Sequence, residues 1–214
     1  LFLYAPTSDI TDDEKTIIEK YLSDGGKVYL ILGDTTSDTP NLDGIMSDYG
    51  LKKVSGYIAD TQRCYQGNYY AIFPQLSLSG DLGSGISNQM VLLLNSPGME
   101  KTDTDNDNLT VTPFMQTSDS GYAVTENDQT QGQYILGAVS TNAISGDSSD
   151  SDSEDEDDKS DATDTDTKTA RLTVLASASM ISSDITDQLT TLDNLTLFVN
   201  SVTENFDNVN NVAI

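Results

Sequence analysis

The sequence predicts a single α/β domain in which helices cover both faces of a mostly parallel sheet, giving three layers, with one acidic insertion in a loop. Three observations predict it. An apolar run, a capped amphipathic helix and a second apolar run follow one another within residues 1–34. A later apolar run, Arg171–Ala176, is followed by Leu195, Phe198, Val199, Val202 and Phe206 at helical spacing. Between the strand-like runs Gln133–Ser140 and Arg171–Ala176 lies a stretch almost devoid of apolar side chains, so the chain leaves and re-enters one domain.

Leu1–Ala5 is short, apolar and closed by Pro6, which marks a buried strand opening into a loop. Thr11, with Glu14 three residues on, has the pattern of a capping box, in which each side chain satisfies the other residue's orphan backbone N–H. Ile17, Ile18, Tyr21 and Leu22 share one helical face until Gly25-Gly26 stops the helix. Lys27–Leu32 is a second strand, ended by Gly33-Asp34. Strand, helix and strand in this order make the crossover unit of flavodoxin-like and amidotransferase-like parallel sheets. Asn41–Tyr49 predicts a short helix ending at Gly50, and Lys53–Ala59 a third strand running into an aromatic stretch around Cys64, Tyr65, Tyr69 and Tyr70. Met90–Leu94, Leu109–Met115 and Gln133–Ser140 are strand-like, the first ended by Asn95-Ser96-Pro97. Asp193 and Asn194 are cap candidates for a final helix expected to dock on the sheet.

A length of 214 residues suits one domain plus an insertion. Thirty-five acidic against ten basic residues give a formal charge of −25, and long-range repulsion then excludes nucleic acid and anionic lipid headgroups as partners. Much of the charge lies in Asp147–Lys168, which holds eleven acidic residues, two basic ones and a single apolar one, Ala162. So few apolar side chains cannot offset the entropy of ordering, and residues 145–169 are expected to form a disordered acidic low-complexity insertion. Loop-closure entropy grows only logarithmically with length, so a domain tolerates it. The single cysteine, Cys64, excludes an intramolecular disulfide and a multi-thiolate zinc site. No run approaches the roughly 20 apolar residues of a spanning helix. The fragment is therefore expected to be soluble, with no direct membrane insertion. Its strand-like start at Leu1, without a charged leader, reads as a piece of a larger membrane-anchored protein.

Four segments carry a family resemblance. They are Thr11-Asp12-Asp13-Glu14 through Tyr21-Leu22-Ser23-Asp24-Gly25-Gly26-Lys27-Val28; Asn41-Leu42 through Tyr49-Gly50-Leu51; Val111-Thr112-Pro113-Phe114 with Thr117-Ser118-Asp119-Ser120; and Arg171-Leu172 to Ser179 followed by Asn194 to Phe206. The pattern resembles the extracytoplasmic domain of the auxiliary component of gliding-motility-type ABC transport systems, which is related to the intraflagellar-transport-type α/β domain. The resemblance implies a non-catalytic domain on the extracytoplasmic side of the cell membrane, working beside a permease and an ATPase subunit. Where relatives have Gly-Asp-Ser after the closing strand, this chain has Ala176-Ser177-Ala178-Ser179, so that carboxylate has no counterpart here.

The chain has no histidine, and conventional serine and cysteine triads need an imidazole to shuttle the proton. Cys64 sits in Gln62-Arg63-Cys64-Tyr65, without a small-residue elbow, and only Arg63 is near enough in sequence to activate it. Asp119-Ser120-Gly121 reads as a turn rather than an aspartic-protease loop, because the preceding Gln116-Thr117-Ser118 is polar. Gly80-Asp81-Leu82-Gly83-Ser84-Gly85 lacks the Lys-Ser or Lys-Thr of a phosphate-binding loop and reads as a plain loop. Asp103, Asp105 and Asp107 alternate like the start of a calcium loop. The sixth position, however, is Asn108 rather than Gly, and the twelfth is Phe114 rather than Glu. They stand as weak Ca²⁺ candidates beside the plainer reading of a solvated turn.

Ligands of open parallel sheets settle outside the carboxyl ends of the strands. That rule selects Thr7, Ser8, Asp34, Asn95, Ser96, Ser177 and Ser179 as candidate ligand-binding residues, suited to a polar ligand such as a glycan, with helix caps and turns as the alternative. The tyrosines from Tyr57 to Tyr70 add a candidate stacking platform. The expected function is a non-catalytic binding or scaffolding domain without a required cofactor. Two other readings stay open: a glycoside hydrolase working with two carboxylates, which needs no histidine, and a calcium-stabilised adhesion module.

Overall fold

The computed structural model describes residues 1–33, 38–144 and 168–206. In chain order, β1 (Phe2–Tyr4), α1 (Asp12–Ser23), β2 (Lys27–Ile31) and α2 (Pro40–Asp48) are followed by short strands: β3 (Leu51–Lys53), β4 (Tyr57–Asp60), β5 (Cys64–Tyr65), β6 (Asn68–Ile72), β7 (Gln75–Leu76), β8 (Leu93–Leu94) and β9 (Met99–Lys101). Longer strands come next, β10 (Leu109–Gln116), β11 (Gly121–Val124), β12 (Gln129–Gln131), β13 (Ile135–Ile144) and β14 (Lys168–Leu175), before α3 (Ser183–Thr186) and α4 (Asn194–Asn205).

The first unit forms as its sequence dictates. Thr11 N–H donates to Glu14 Oε2 at 2.8 Å and Glu14 N–H to Thr11 Oγ1 at 3.2 Å, so the capping box starts α1. At the other end, Gly26 N–H donates to the Tyr21 carbonyl and Gly25 N–H to the Leu22 carbonyl, with Gly25 at φ 88°, the Schellman closure that glycine permits. β1 and β2 then pair in parallel, Phe2 opposite Tyr29. For α2 the cap comes from a distance: Asp9 accepts from the Asn41 and Leu42 N–H groups at 2.8 and 3.1 Å.

The main sheet runs β1-β2-β14-β13-β10-β7, with β9 and β3 joined to it through β13. A second sheet is β12-β11-β4 and a third is β5-β6-β8. This corrects the expected three-layer, mostly parallel flavodoxin-like or amidotransferase-like arrangement. Among the described strands only β1–β2 and β2–β14 pair in parallel, and every other pairing is antiparallel. The reason lies in the connections. A parallel pair needs a crossover of a dozen or more residues, as α1 and its flanks supply between β1 and β2, whereas the short links at residues 66–67 and 125–128 can join β5 to β6 and β11 to β12 only as antiparallel pairs.

The parallel half is covered on both faces. Tyr29 and Thr173 point at α4, where Tyr29 Oη and Ser201 Oγ share a 2.6 Å hydrogen bond and Thr173 Oγ1 donates to Asn205 Oδ1 at 2.6 Å. Val28, Leu30, Leu172 and Val174 alternate to the other side and are fully buried, and α1 packs on the same two strands. Phe114, Met115, Leu136 and Ala138 continue one core into the antiparallel half. The acidic stretch lies between two neighbours, β13 and β14, whose flanking residues Ile144 and Lys168 are register partners. Lys168 and Thr169 belong to β14, and residues 145–167 lie outside the described residues. Among the described residues no helix is long and apolar enough to cross a membrane.

Two strand expectations change for identifiable reasons. Lys53–Ala59 is not one strand but two, broken at Ser55-Gly56, and β3 and β4 join different sheets. In Met90–Leu94 only Leu93 and Leu94 pair with another strand, because Asn194 takes the partner's place. Its Oδ1 accepts from Leu92 N–H and its Nδ2 donates to the Leu92 and Met180 carbonyls, all at 2.9 Å.

Candidate functional site

The carboxyl end of β2 opens at Gly33 into a cavity of about 220 Å³ also lined by Lys53, Ser55, Gly56, Tyr57 and Pro97. Gly56 and Tyr57 form the wall between it and a larger open cleft of about 520 Å³. Four strands build that cleft. Tyr57 begins β4 and is 38% exposed, Tyr70 lies on β6 and is half-buried, and Asn95 follows β8. The floor opposite is the end of β11, Val124, with Thr125 and Glu126 beyond it.

Backbone geometry fixes these walls. Val124 pairs with Tyr57 across the β4–β11 ladder. Asn95 adopts φ 45°, a left-handed conformation in which its N–H reaches the Tyr70 carbonyl at 3.0 Å. Gly56 is at φ 82°, and a Cβ built there would stand 2.1 Å from the Val124 carbonyl oxygen, so only glycine permits this approach. Glu126 is the one charged residue lining the cleft among the described residues. The basic group next door is engaged elsewhere: Lys53 Nζ donates to Thr39 Oγ1 at 2.9 Å and lies 3.5 Å from Asp43 Oδ1.

Of the seven residues selected beyond the strand ends, the structure brings Ser177 and Ser179 together and commits these two and Ser96 to internal hydrogen bonds. Asn95 reaches the cleft. Ser96 is fully buried, its hydroxyl donating to the Pro97 carbonyl at 2.8 Å and its own carbonyl accepting from Ile58 N–H. Ser177 caps the short 3₁₀ turn Ala178–Ile181, with Ser179 N–H donating to Ser177 Oγ at 3.1 Å. Ser177 Oγ also donates to Ser179 Oγ at 2.8 Å, and Ser179 Oγ accepts from Leu94 N–H at 2.9 Å. The serine pair thus ties the end of β14 to β8. Thr7 and Ser8 are exposed in the bend after β1, and Asp34 lies outside the described residues.

Asp103, Asp105 and Asp107 are all exposed in the β9–β10 loop. That loop is organised by Asn106, whose Oδ1 accepts from Asn108 N–H at 3.0 Å while its Nδ2 donates to Asn142 Oδ1 at 3.2 Å. Among the described residues no group of three or more His, Cys, Asp or Glu side chains converges as metal ligands would. Cys64 is partly buried, and its neighbour Arg63 is committed to the Phe73 and Pro74 carbonyls at 2.7 and 3.2 Å. Asp119 is exposed in the turn between β10 and β11.

Sequence reasoning missed Gly56, Val124, Thr125 and Glu126. The available signal was Tyr122-Ala123-Val124, a short apolar run bounded by Gly121 before it and by Thr125-Glu126-Asn127-Asp128 after it, as a strand is by its turns. Two further acids pass unnoticed in sequence because their role is structural. Asp60 and Asp193 are buried acceptors, each of several backbone N–H groups.

No protein-family model and no curated protein matches the chain. Among solved structures, the fold is similar to the mmIFT52 N-terminal domain, with a TM-score of 0.57 and 12% sequence identity, covering 95% of this chain and 76% of that one. The likeness is one of fold. It places the chain among mixed-sheet α/β domains.

Proposed function

We propose that the chain is a non-catalytic binding or scaffolding domain of an ABC transporter auxiliary protein, held on the extracytoplasmic side of the cell membrane beside a permease and an ATPase subunit. The Tyr57–Tyr70 cleft is its point of ligand contact. One observation carries the binding reading: the cleft joins aromatic walls and an amide to a single carboxylate, with no thiol and no second acid among its lining residues. Such a lining can hold a molecule but has no pair of groups to move a proton and attack a bond. The transporter setting is supported by the four segments quoted above. The fold likeness agrees with the α/β domain type to which that resemblance is related.

A two-carboxylate hydrolase has one observation in its favour. Glu19 and Asp48 line one cavity of about 230 Å³, and Asp48 is raised above the usual carboxylate range by burial and then by Glu19, against the pull of Lys15. That cavity, however, lies at the ends of α1 and α2, near the amino ends of β2 and β14, opposite the rim where sites of such sheets form.

The test uses the full-length protein solubilised from its membrane. Co-elution at constant ratio with the permease and ATPase of one transporter, without hydrolysis of chromogenic glycosides, is the expected result. Hydrolysis that disappears when Glu19 or Asp48 is replaced overturns the proposal, as does failure to associate with either subunit.

A further inference from the structure

Resting on the reading of the Tyr57–Tyr70 cleft as a binding site, we infer that its ligand carries an alkylated ammonium group, and that the two rings and Glu126 recognise it. Two aromatic side chains reach the cleft from separate strands, Tyr57 from β4 and Tyr70 from β6. The face of an aromatic ring is electron-rich, so a cation with apolar substituents gains from it both electrostatically and by contact. Glu126 supplies the only formal charge among the cleft's described lining residues, and it is negative.

The surroundings reinforce this sign. Through Thr125 the cleft adjoins a cavity of about 220 Å³ lined by Glu100 and Asp128. Lys53, in the cavity shared through Gly56 and Tyr57, is held by Thr39 and Asp43. The chain as a whole carries a formal charge of −25, which concentrates cations and repels anions. A neutral glycan would use the rings but gain nothing from this field, and a phosphate or carboxylate ligand would be opposed by it. An alkylammonium group uses all three features, and about 520 Å³ accommodates its substituents.

The probe is choline, titrated into the isotope-labelled domain at low ionic strength and followed by two-dimensional NMR. Its neutral isostere 3,3-dimethylbutan-1-ol and the neutral sugar maltotetraose serve as controls. Saturable shifts clustered at residues 56–57, 70, 95 and 124–126 are expected for choline, with affinity about tenfold above the isostere and weakening as salt rises. Glu126→Gln abolishes most of that preference. Tyr57→Leu and Tyr70→Leu each weaken choline roughly three- to tenfold, while Tyr57→Phe and Tyr70→Phe retain it, which separates loss of the ring from loss of the fold. Phosphatidylcholine vesicles competing with free choline identify a lipid headgroup as the source, whereas no competition identifies a soluble ligand; either result is consistent with the proposal. Equal affinity for choline and its isostere overturns it. Maltotetraose shifting the same residues in choline's place overturns it too, but leaves the binding-domain reading intact. Silence of the cleft towards every probe sinks both the ligand class and the site.

Discussion

Asp60 and Ser118 are joined at two points: Ser118 N–H donates to Asp60 Oδ2 at 2.7 Å and Ser118 Oγ to Asp60 Oδ1 at 2.9 Å. The same carboxylate accepts from Gln62 N–H and Arg63 N–H at 2.9 and 2.8 Å, so it fastens the end of β4 to the turn between β10 and β11. Asp60 is fully buried, and its removal leaves buried N–H groups without partners. Asp60→Ala is expected to lower stability by about 3 kcal/mol, and Asp60→Asn by about 2 kcal/mol, because the amide offers one acceptor and turns a donor toward donors. Urea denaturation measures both; a loss below about 1 kcal/mol for the alanine variant would show that the knot is not holding the sheets together.

The pH dependence follows from the same group and from Asp193. Burial opposes the charge on each, but the combined hydrogen bonds outweigh it and hold both below the ordinary carboxylate range. A carboxyl lowered in the folded state contributes stability that is fully present above its unfolded value, about 3.9, and is lost as pH falls through the folded value. Asp48, raised chiefly by burial, acts in the opposite sense over a higher range. Stability is therefore expected to fall steeply below about pH 4, and the Asp60→Asn, Asp193→Asn double variant to lose less on acidification than the parent. Thermal melting across pH 2–6 reads the difference; parallel curves for the two proteins contradict this assignment.

Local signals carried the first half of the fold. Thr11, Glu14, Gly25 and Gly26 specify α1 within a few residues of themselves, and the apolar runs on either side could be read as strands from composition. What could not be read was pairing. β2 is flanked by β1 in one direction and by β14, more than a hundred residues away, in the other, and nothing in Arg171–Ala176 states that its other neighbour, β13, runs antiparallel. The site suffered for the same reason. Asn95 was legible as a residue beyond a strand end and Tyr57 and Tyr70 as aromatic candidates, but their meeting with Glu126 depends on three small sheet segments converging, and Ser177 and Ser179, expected at the rim, answer instead to each other and to the backbone of Leu94.

The pairing of Ile144 with Lys168 predicts how the acidic stretch can be removed. Replacing residues 145–167 with a four-residue Asn/Gly turn deletes eleven acids and Lys159, changing the formal charge from −25 to −15. Since closure entropy depends on the logarithm of loop length, the shortened protein is expected to gain about 1–2 kcal/mol and to keep the native amide pattern of β13 and β14. NMR fingerprints and denaturation together check it. Loss of the β13–β14 resonances would mean that the pair requires the long connection.

Gly56 makes the most specific prediction about the cleft. Gly56→Ala adds a Cβ that would stand 2.1 Å from the Val124 carbonyl oxygen, an atom of the β11 backbone that cannot rotate away, and it does so at φ 82°. Gly67 has nearly the same backbone, φ 79°, and a methyl group added there would meet no atom within 4 Å, so Gly67→Ala isolates the conformational cost alone. The expected losses are about 1 kcal/mol for Gly67→Ala and about 3 kcal/mol for Gly56→Ala. The difference between them measures steric overlap rather than conformation. Because β11 must shift to relieve that overlap, Gly56→Ala also moves Thr125 and Glu126 away from Tyr57, and its effect should appear in the NMR shifts of residues 124–126 as well as in the melting temperature. Equal losses for the two variants would show that β11 is free to move, and that the wall between the two cavities is not fixed by this contact.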